Sequence, residues 1–471
     1  MNVSWNTMEG RSLLGAFGLA AAISALVTAL ILRRRLGAAL DQPDGWRKQH
    51  HGPIPRLGGL PLFVVLSGGW LIALVLHGGL WLDYLPLMLG NAAVFAVGLL
   101  DDFRPLGAKV KLAGQIGAAL LLYSMGVSVD VLSNPLGQGS LQLGFWSLPV
   151  TVLWLVAVPN VINLVDGMDG LAAGVGLLLC LTLAIVAGHN DQMQAVWLAV
   201  LMAGAICGFL GFNLPPAKIF LGDGGAYLLG FFIASLSLKS SQKGSVMAAL
   251  LVVVTAMGLP ILDTAFAIMR RAVRGVSIFS ADADHIHHRL MLLGYSKTRA
   301  LMALYGACLM LSLAGLSILL FRGMILPVAL AVFCLGALGL ARYLGYVRRW
   351  GSLREQWRHA LARRRKLEHW RAHALALEFD IERCVDLAQF EQLLRGRLQW
   401  LGLLAVGHAP LTVLRLSDGR EACFASVDDD SSQAWLQRRA LDAFVDPLEL
   451  ALQRWNALPP CVAKPVNEAP P

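Results

Sequence analysis

A chain of 471 residues that is 56% hydrophobic and 15% charged, with mean hydropathy +0.62, carries more apolar surface than a soluble core can bury. The apolar residues come in runs of about twenty, the length that crosses a bilayer, so the composition excludes a soluble enzyme and describes a polytopic membrane protein. A net charge of +9 is what cytoplasmic loops accumulate and does not call for nucleic acid; the seven Cys show neither metal-ligand spacing nor a disulfide framework.

Eleven apolar runs are expected to span: 12–32, 58–76, 84–100, 112–128, 148–163, 171–188, 194–213, 225–238, 245–268, 300–321 and 324–345. No small-residue cleavage site follows the first, which reads as a retained span. Loops after odd-numbered spans hold sixteen Lys or Arg and the opposite loops four, which places the N-terminus outside and the C-terminus inside. The expected fold is therefore an all-α polytopic membrane protein of about 11 transmembrane helices.

The first inside loop contains Arg47-Lys48-Gln49-His50-His51-Gly52-Pro53-Ile54-Pro55-Arg56, basic and stiffened by proline, an orientation signal or a phosphate contact. Asp101-Asp102 closes the third span, with Arg104, Lys109 and Lys111 just beyond. Adjacent carboxylates repel unless a cation holds them. Residues 129–147 face out, with a short hairpin as their only predicted structure.

In PNVINLVDGMDGL, 159–171, the polar residues Asn160, Asn163, Asp166 and Asp169 recur every third position, so a continuing helix would carry them on one drifting face. Gly167 and Gly170 suit a helix fraying into a turn. One such Asp is an ordinary helix end; two carboxylates and two amides at fixed spacing suit a seat for a metal and a polar ligand. After the seventh span, Asn213 precedes Lys218-Ile219-Phe220-Leu221-Gly222-Asp223-Gly224-Gly225, where Asp223 opens the next helix and glycines bring backbone N–H groups toward an anion. The inside loop 269–299 holds Asp282, Asp284, His285, His287, His288 and Arg289. Its histidines lack zinc-site spacing and, beside Arg289, suit a diphosphate or sugar better.

These motifs lie far apart in the chain, yet the charge count puts them all on one membrane face. Five carboxylates at one depth need a counter-charge, and hard oxygen ligands suit Mg²⁺ or Mn²⁺. With Lys218, Arg289 and the first-loop cations to meet phosphates, the combination points to metal-assisted phosphoryl transfer at the membrane surface.

Asp101-Asp102, the NxxNxxDGxDGL stretch 160–171, Phe220-Leu221-Gly222-Asp223 and His285-Ile286-His287-His288-Arg289 occur in the order found in bacterial polyprenyl-phosphate N-acetylhexosamine-1-phosphate transferases, which residues 30–320 resemble. The resemblance implies transfer of a sugar-1-phosphate from a UDP-sugar to undecaprenyl phosphate with release of UMP, at the bacterial inner membrane, in cell-surface polysaccharide synthesis. It implies Asp223 as principal Mg²⁺ ligand with Asp166 beside it. Asp101 and Asp102 are implied near the carrier phosphate, and Asn163, Asp166 and Asp169 along the nucleotide and metal site. Asn213 and Phe220 are implied as nucleoside contacts, and His285, His287, His288 and Arg289 as the grip on the donor's diphosphate and sugar. Lys48 and Arg56 are the first-loop candidates. The His-x-His-His form suits UDP-GlcNAc; Ile286 interrupts the triplet of the branch that transfers phospho-MurNAc-pentapeptide. A transporter, which would carry ionisable groups at mid-bilayer, fits less well, and an intramembrane protease would want Gly where Phe220 stands.

Beyond the transferase domain, 1–345, residues 348–371 interleave nine Lys or Arg with Trp350, Trp357 and Trp370, the composition of an amphipathic helix on anionic lipid, within a juxtamembrane segment 346–378. A small α+β cytoplasmic module is expected over 379–458. It has a hairpin about Ser417-Asp418-Gly419-Arg420 and helices near 432–444 and 447–457, followed by a disordered tail, 459–471. A homodimer and a cytoplasmic partner docked on the tail are further expectations.

Overall fold

The computed structural model of the chain describes residues 7–34, 40–41, 54–133, 139–241, 246–274, 285–321, 326–343, 365, 368–400, 411–415, 421–425 and 444–456. Lys48, Asp282, Asp284, most of the basic segment 348–371 and the expected helix 432–444 lie outside them. The chain divides into two units, residues 1–270 with 278–347, and residues 271–277 with 348–471.

In the first unit the helices run α1 (Thr7–Arg34), α2 (Gly59–His77), α3 (Leu85–Phe103), α4 (Ala108–Ser124), α5 (Ser147–Val165), α6 (Leu171–His189), α7 (Met193–Asn213), α8 (Gly222–Ser241), α9 (Val246–Ala256), α10 (Gly258–Arg274, of which 271–274 fall in the second unit), α11 (Ile286–Leu292), α12 (Lys297–Leu320) and α13 (Leu326–Tyr343). Each of the eleven expected ranges falls on one or two of these. By length and apolar content six segments qualify as membrane spans, the 45-residue Gly59–Phe103 holding both α2 and α3. The ninth expected span is not one helix: α9 and α10 meet at Met257 with a 67° bend, and together they make a seventh candidate. The protein is thus a multi-pass membrane protein with at least six apolar helical segments. Strands β1 (Leu40–Asp41) and β2 (Ile54–Pro55) pair antiparallel, as do β3 (Val131–Ser133) and β4 (Ser140–Gln142), the short hairpin expected between α4 and α5.

α8 is the centre of this unit. Every residue from Leu221 to Leu238 is buried, which a helix apolar on all sides achieves only when ringed by others. α3 and α5 flank it, Trp154 Nε1 donating to Ala234 O at 3.2 Å and Asn91 Nδ2 to Ser235 Oγ at 3.4 Å. The donors Trp154 Nε1 and Asn91 Nδ2 thus find acceptors on the neighbouring helix, as a hydrocarbon surround favours. Small residues bring backbones together: a Cβ on Gly208 of α7 would stand 2.1 Å from Ala21 O of α1. Large apolar side chains such as Val75 and Leu76 point outward, where a bilayer's chains would cover them.

The polar repeat at 160–169 does not stay on one helix. α5 ends at Val165, so Asn160 and Asn163 are helical whereas Asp166 and Asp169 belong to the turn before α6. Gly170 at φ +79° supplies the left-handed step that starts α6 in a new direction.

The second unit contains α14 (368–381), α15 (Leu387–Trp400), the antiparallel pair β5 (Leu411–Arg415) and β6 (Glu421–Ala425), and α16 (Val445–Trp455). Trp370, Leu377, Ile381, Phe390, Leu394 and Leu448 make a small core of its own among the described residues.

Candidate active site

The site is assembled where α3 ends and α8 begins. Asp102 in the last turn of α3 directs both carboxylate oxygens at the first turn of α8: Oδ1 accepts the Asp223 N–H and Oδ2 the Gly224 N–H, each at 2.9 Å. A helix start presents unpaired N–H groups and a partial positive charge, which a carboxylate satisfies. The anion that the glycine-flanked backbone faces is therefore Asp102 of the protein itself. The approach depends on Gly98, where a Cβ would lie 2.6 Å from Asp223 O, and on Gly222 at φ +75°.

Two cations bind this acidic group together. Arg56 Nη2 stands 3.3 Å from Asp223 Oδ1 and its Nε 3.6 Å from Asp102 Oδ1. Lys111 Nζ bridges Asp223 Oδ2 at 2.9 Å and Asp101 Oδ2 at 3.2 Å. Asp101 also closes the turn after α3, accepting the Leu106 N–H at 2.7 Å. Arg56 is delivered by an interleaved strand: Phe220 N–H donates to Pro55 O, and Gly58 and Gly59 N–H donate to Phe220 O and Leu221 O, at 2.8–3.0 Å.

Asp166 lies within electrostatic reach of Asp223, Asp102, Asp169 and Arg56. Burial, then repulsion by Asp223, pushes its carboxyl well above the usual carboxylate range. A solvent-accessible edge remains to it all the same. Asn163 Nδ2 reaches Tyr227 Oη at 3.4 Å. Asn160 is taken up by Gln115 and Val156 O. Asp169 Oδ2 accepts the Ala217 N–H at 3.1 Å and so ties the 166–170 turn to the loop before α8. Buried Asn213 braces that loop, donating to Ile219 O at 2.8 Å.

The histidine segment forms a second group. Asp263 of α10 accepts the Ile286 N–H at 2.9 Å and faces His285 Nδ1 at 3.1 Å. His287 is 2% exposed, stacked on His285 at 5.8 Å and tilted against His288 at 4.3 Å. Burial, then the neighbouring His288, holds its pKa down at about 3, so the ring is neutral at ordinary pH. A Cβ on Gly167 would lie 3.1 Å from His287 Cε1, which seats the histidine segment on the turn that carries Asp166. His287 and Asp263 also line a small, mostly apolar cavity of about 20 Å³.

Of the sequence candidates, Asp101, Asp102, Asp223 and Arg56 meet directly and Asp166 couples to them. Asp169, Asn213 and Phe220 shape the adjoining loop; of the histidine segment His287 reaches the same turn at Gly167, with His285 and His288 packed on its ring. Three members had not been chosen from the sequence. Lys111 was legible only as a cation near Asp101-Asp102, Tyr227 as the residue one turn beyond Asp223, and Asp263 as an acid in an apolar run.

The donor set is all carboxylate oxygen, the chemistry a hard divalent ion prefers, and Asp223, Asp102 and Asp169 are close enough to Asp166 to repel its charge. Among the described residues no three acidic, His or Cys side chains stand close enough together to enclose an ion, and Lys111 sits between two of the carboxylates. A metal would thus take over charge compensation that Lys111 and Arg56 supply here.

Distant segments of a helical membrane protein thus converge on one group of acids and cations at helix ends. The chain belongs to Glycosyl transferase family 4, whose profile matches residues 84–241. A Bacillus subtilis (strain 168) relative named "Probable undecaprenyl-phosphate N-acetylglucosaminyl 1-phosphate transferase" is 36% identical over 291 residues, 60% of this chain and 80% of that one. The decaprenyl-phosphate N-acetylglucosaminephosphotransferase of Mycobacterium tuberculosis H37Rv is 36% identical over 301 residues, 58% of this chain and 74% of its own. More distant, at 28% over 320 residues (65% and 95% of the two chains), is the phospho-N-acetylmuramoyl-pentapeptide-transferase of Halalkalibacterium halodurans.

Proposed function

We propose that the protein transfers N-acetylglucosamine-1-phosphate from UDP-GlcNAc to a polyprenyl phosphate, releasing UMP, with its site on the cytoplasmic face of the bacterial inner membrane. One observation carries the reading: Asp101, Asp102, Arg56, Lys111 and Asp223 form a single charged cluster in a chain 36% identical to relatives bearing that activity's name. The sixteen-to-four distribution of cations supports the cytoplasmic orientation. The greater likeness to N-acetylglucosaminyl than to pentapeptide transferases supports the sugar, as does His-Ile-His-His.

In the reaction, an oxygen of the carrier phosphate attacks the β-phosphorus of the donor. The bond from that phosphorus to the bridging oxygen breaks, and UMP leaves with the electron pair. The two reactants are anions that repel, so positioning and charge compensation supply most of the rate. A phosphate monoester with a second pKa near 6 is largely dianionic at neutral pH and needs no strong base. Asp102 suits positioning, since its two oxygens are engaged by backbone N–H groups and Arg56. A bound Mg²⁺, held by Asp223 and Asp166, would neutralise diphosphate charge and polarise the reacting phosphoryl group. Arg56 and Lys111, held by the site's carboxylates, would meet phosphate oxygens, and the histidine segment would hold the diphosphate and sugar. Purified protein given UDP-[¹⁴C]GlcNAc and undecaprenyl phosphate should make a labelled lipid and equimolar UMP; UMP without labelled lipid, or neither, would refute the reading.

A further inference from the structure

Asp263 plays no part in the reaction just described, yet it is 7% exposed on α10 beside Leu259 and Pro260, where a carboxylate is costly unless its oxygens are engaged. Both are engaged, and with one short segment. Oδ1 accepts the Ile286 N–H at 2.9 Å and Oδ2 faces His285 Nδ1 at 3.1 Å. An ionised carboxylate only accepts, so the proton of the facing ring nitrogen must sit on Nδ1, and Nε2 becomes the position His285 offers to anything else. The His285 ring lies within 6° of parallel to His287, and His287 packs on Gly167, next to Asp166. Fixing one ring therefore fixes a column that ends at the acidic turn.

We propose that Asp263 is a positioning residue for donor binding: it sets the tautomer and ring plane of His285 and thereby aligns the segment His285–Arg289. The inference rests on the reading of that segment as the donor grip. A plain helix cap for α11 would need only the Ile286 contact; the second oxygen on His285 is what a cap does not require.

Asparagine separates the two roles. Asp263→Asn can still accept from the Ile286 N–H while presenting an amide N–H to His285 Nδ1, which reverses the tautomer. Removing such an orienting partner costs on the order of tenfold or more in function. Asp263→Asn should lower kcat/KM for UDP-GlcNAc by that order, with the KM for the carrier lipid within about twofold of the parent. In a His285→Ala background the same substitution should change kcat/KM less than about twofold, because the group it acts through is gone. Should His285→Ala itself leave the donor parameters unchanged, the donor-grip reading fails. An Asp263→Asn defect that is equally large with and without His285 leaves that reading standing and overturns the positioning role. A measurement free of variant folding is the ¹⁵N spectrum of histidine-labelled full-length protein, with His285 assigned by its loss in His285→Gln. The proposal requires the His285 proton on Nδ1, and a ring protonated on Nε2 alone overturns it.

Discussion

Replacing Asp102 by Asn tests whether this carboxylate builds the site or abstracts a proton. Its side chain is 1% exposed and its oxygens accept from two backbone N–H groups of α8 at 2.9 Å. Asn retains one acceptor and turns an N–H₂ toward the other N–H. The lost charge-assisted hydrogen bond is worth about 1.5–3 kcal/mol, and the N–H left facing a donor about 1–3 kcal/mol more. Loss of the anion at the helix start adds roughly 0.3–1 kcal/mol. Allowing for relaxation, a destabilisation of about 3–5 kcal/mol is expected, or on the order of 10 °C in Tm for a unit of this size. The assay is thermal unfolding of purified protein in detergent, alongside turnover at pH 6–9. Asp101→Asn is the comparison: it keeps an oxygen for the Leu106 N–H, and Lys111 keeps Asp223, so its drop in Tm should be markedly smaller. An Asp102→Asn protein as stable as the parent, inactive near neutrality and recovering with rising pH, would show that Asp102 is the base and that its bonds to α8 contribute little.

Asp223→Asn should fold yet lose at least about 99% of turnover, and excess chelator should abolish parental activity that added Mg²⁺ or Mn²⁺ restores; full activity in chelator would rule out the ion. His287 gives the protein an acid-labile term. The unfolded chain protonates this ring below about pH 6.5 whereas the folded one does so only near 3, so stability is complete above pH 6.5 and drains as pH falls through that window. By pH 5 the loss should be about 2 kcal/mol, and His287→Asn should flatten the dependence of Tm on pH between 7 and 5; an unaltered slope counts against a buried neutral ring. Truncation after residue 346 should leave measurable transferase activity in detergent, since every site residue lies before it; a folded but inactive truncation would place part of the site in the tail.

The acids of the site were legible because five carboxylates at the ends of apolar runs fall on one membrane face and need a counter-charge, and the strand pairs β3–β4 and β5–β6 because turn-forming residues separate them. What three-dimensional pairing decides was not legible. Nothing in the spacing of Lys111 says that it spans Asp101 and Asp223, residues 10 and 112 positions away. The three-residue polar period at 160–169 suggested one helical face, but a period cannot show where a helix stops, and here it stops at Val165. The bend at Met257 was masked by apolar residues on both sides, although Gly258 and Pro260 mark it: Pro260 has no N–H to donate to Ala256 O, and Phe333 stands where a Gly258 Cβ would lie. Asp263 reads in the sequence only as an acid within an apolar run, because its partners lie 22 and 23 positions onward.

The closeness of α2, α3 and α8 has a consequence for how the protein meets different membranes. A Cβ on Gly98 would strike Asp223 O at 2.6 Å, and one on Gly59 would strike Gly225 N at 2.4 Å. The three main chains are therefore in direct contact where Asp102, Arg56 and Asp223 gather. Spacing set by main chain against main chain has no rotamers to readjust, whereas outward side chains such as Val75, Leu76 and Leu153 can repack freely. A change in bilayer thickness or lipid content is met by tilt and by those outer side chains, at fractions of a kcal/mol per Å of mismatch. The charged cluster then behaves as a fixed hub in a compliant rim, and its internal distances should be the same in a thin bilayer, a thick one or a detergent micelle.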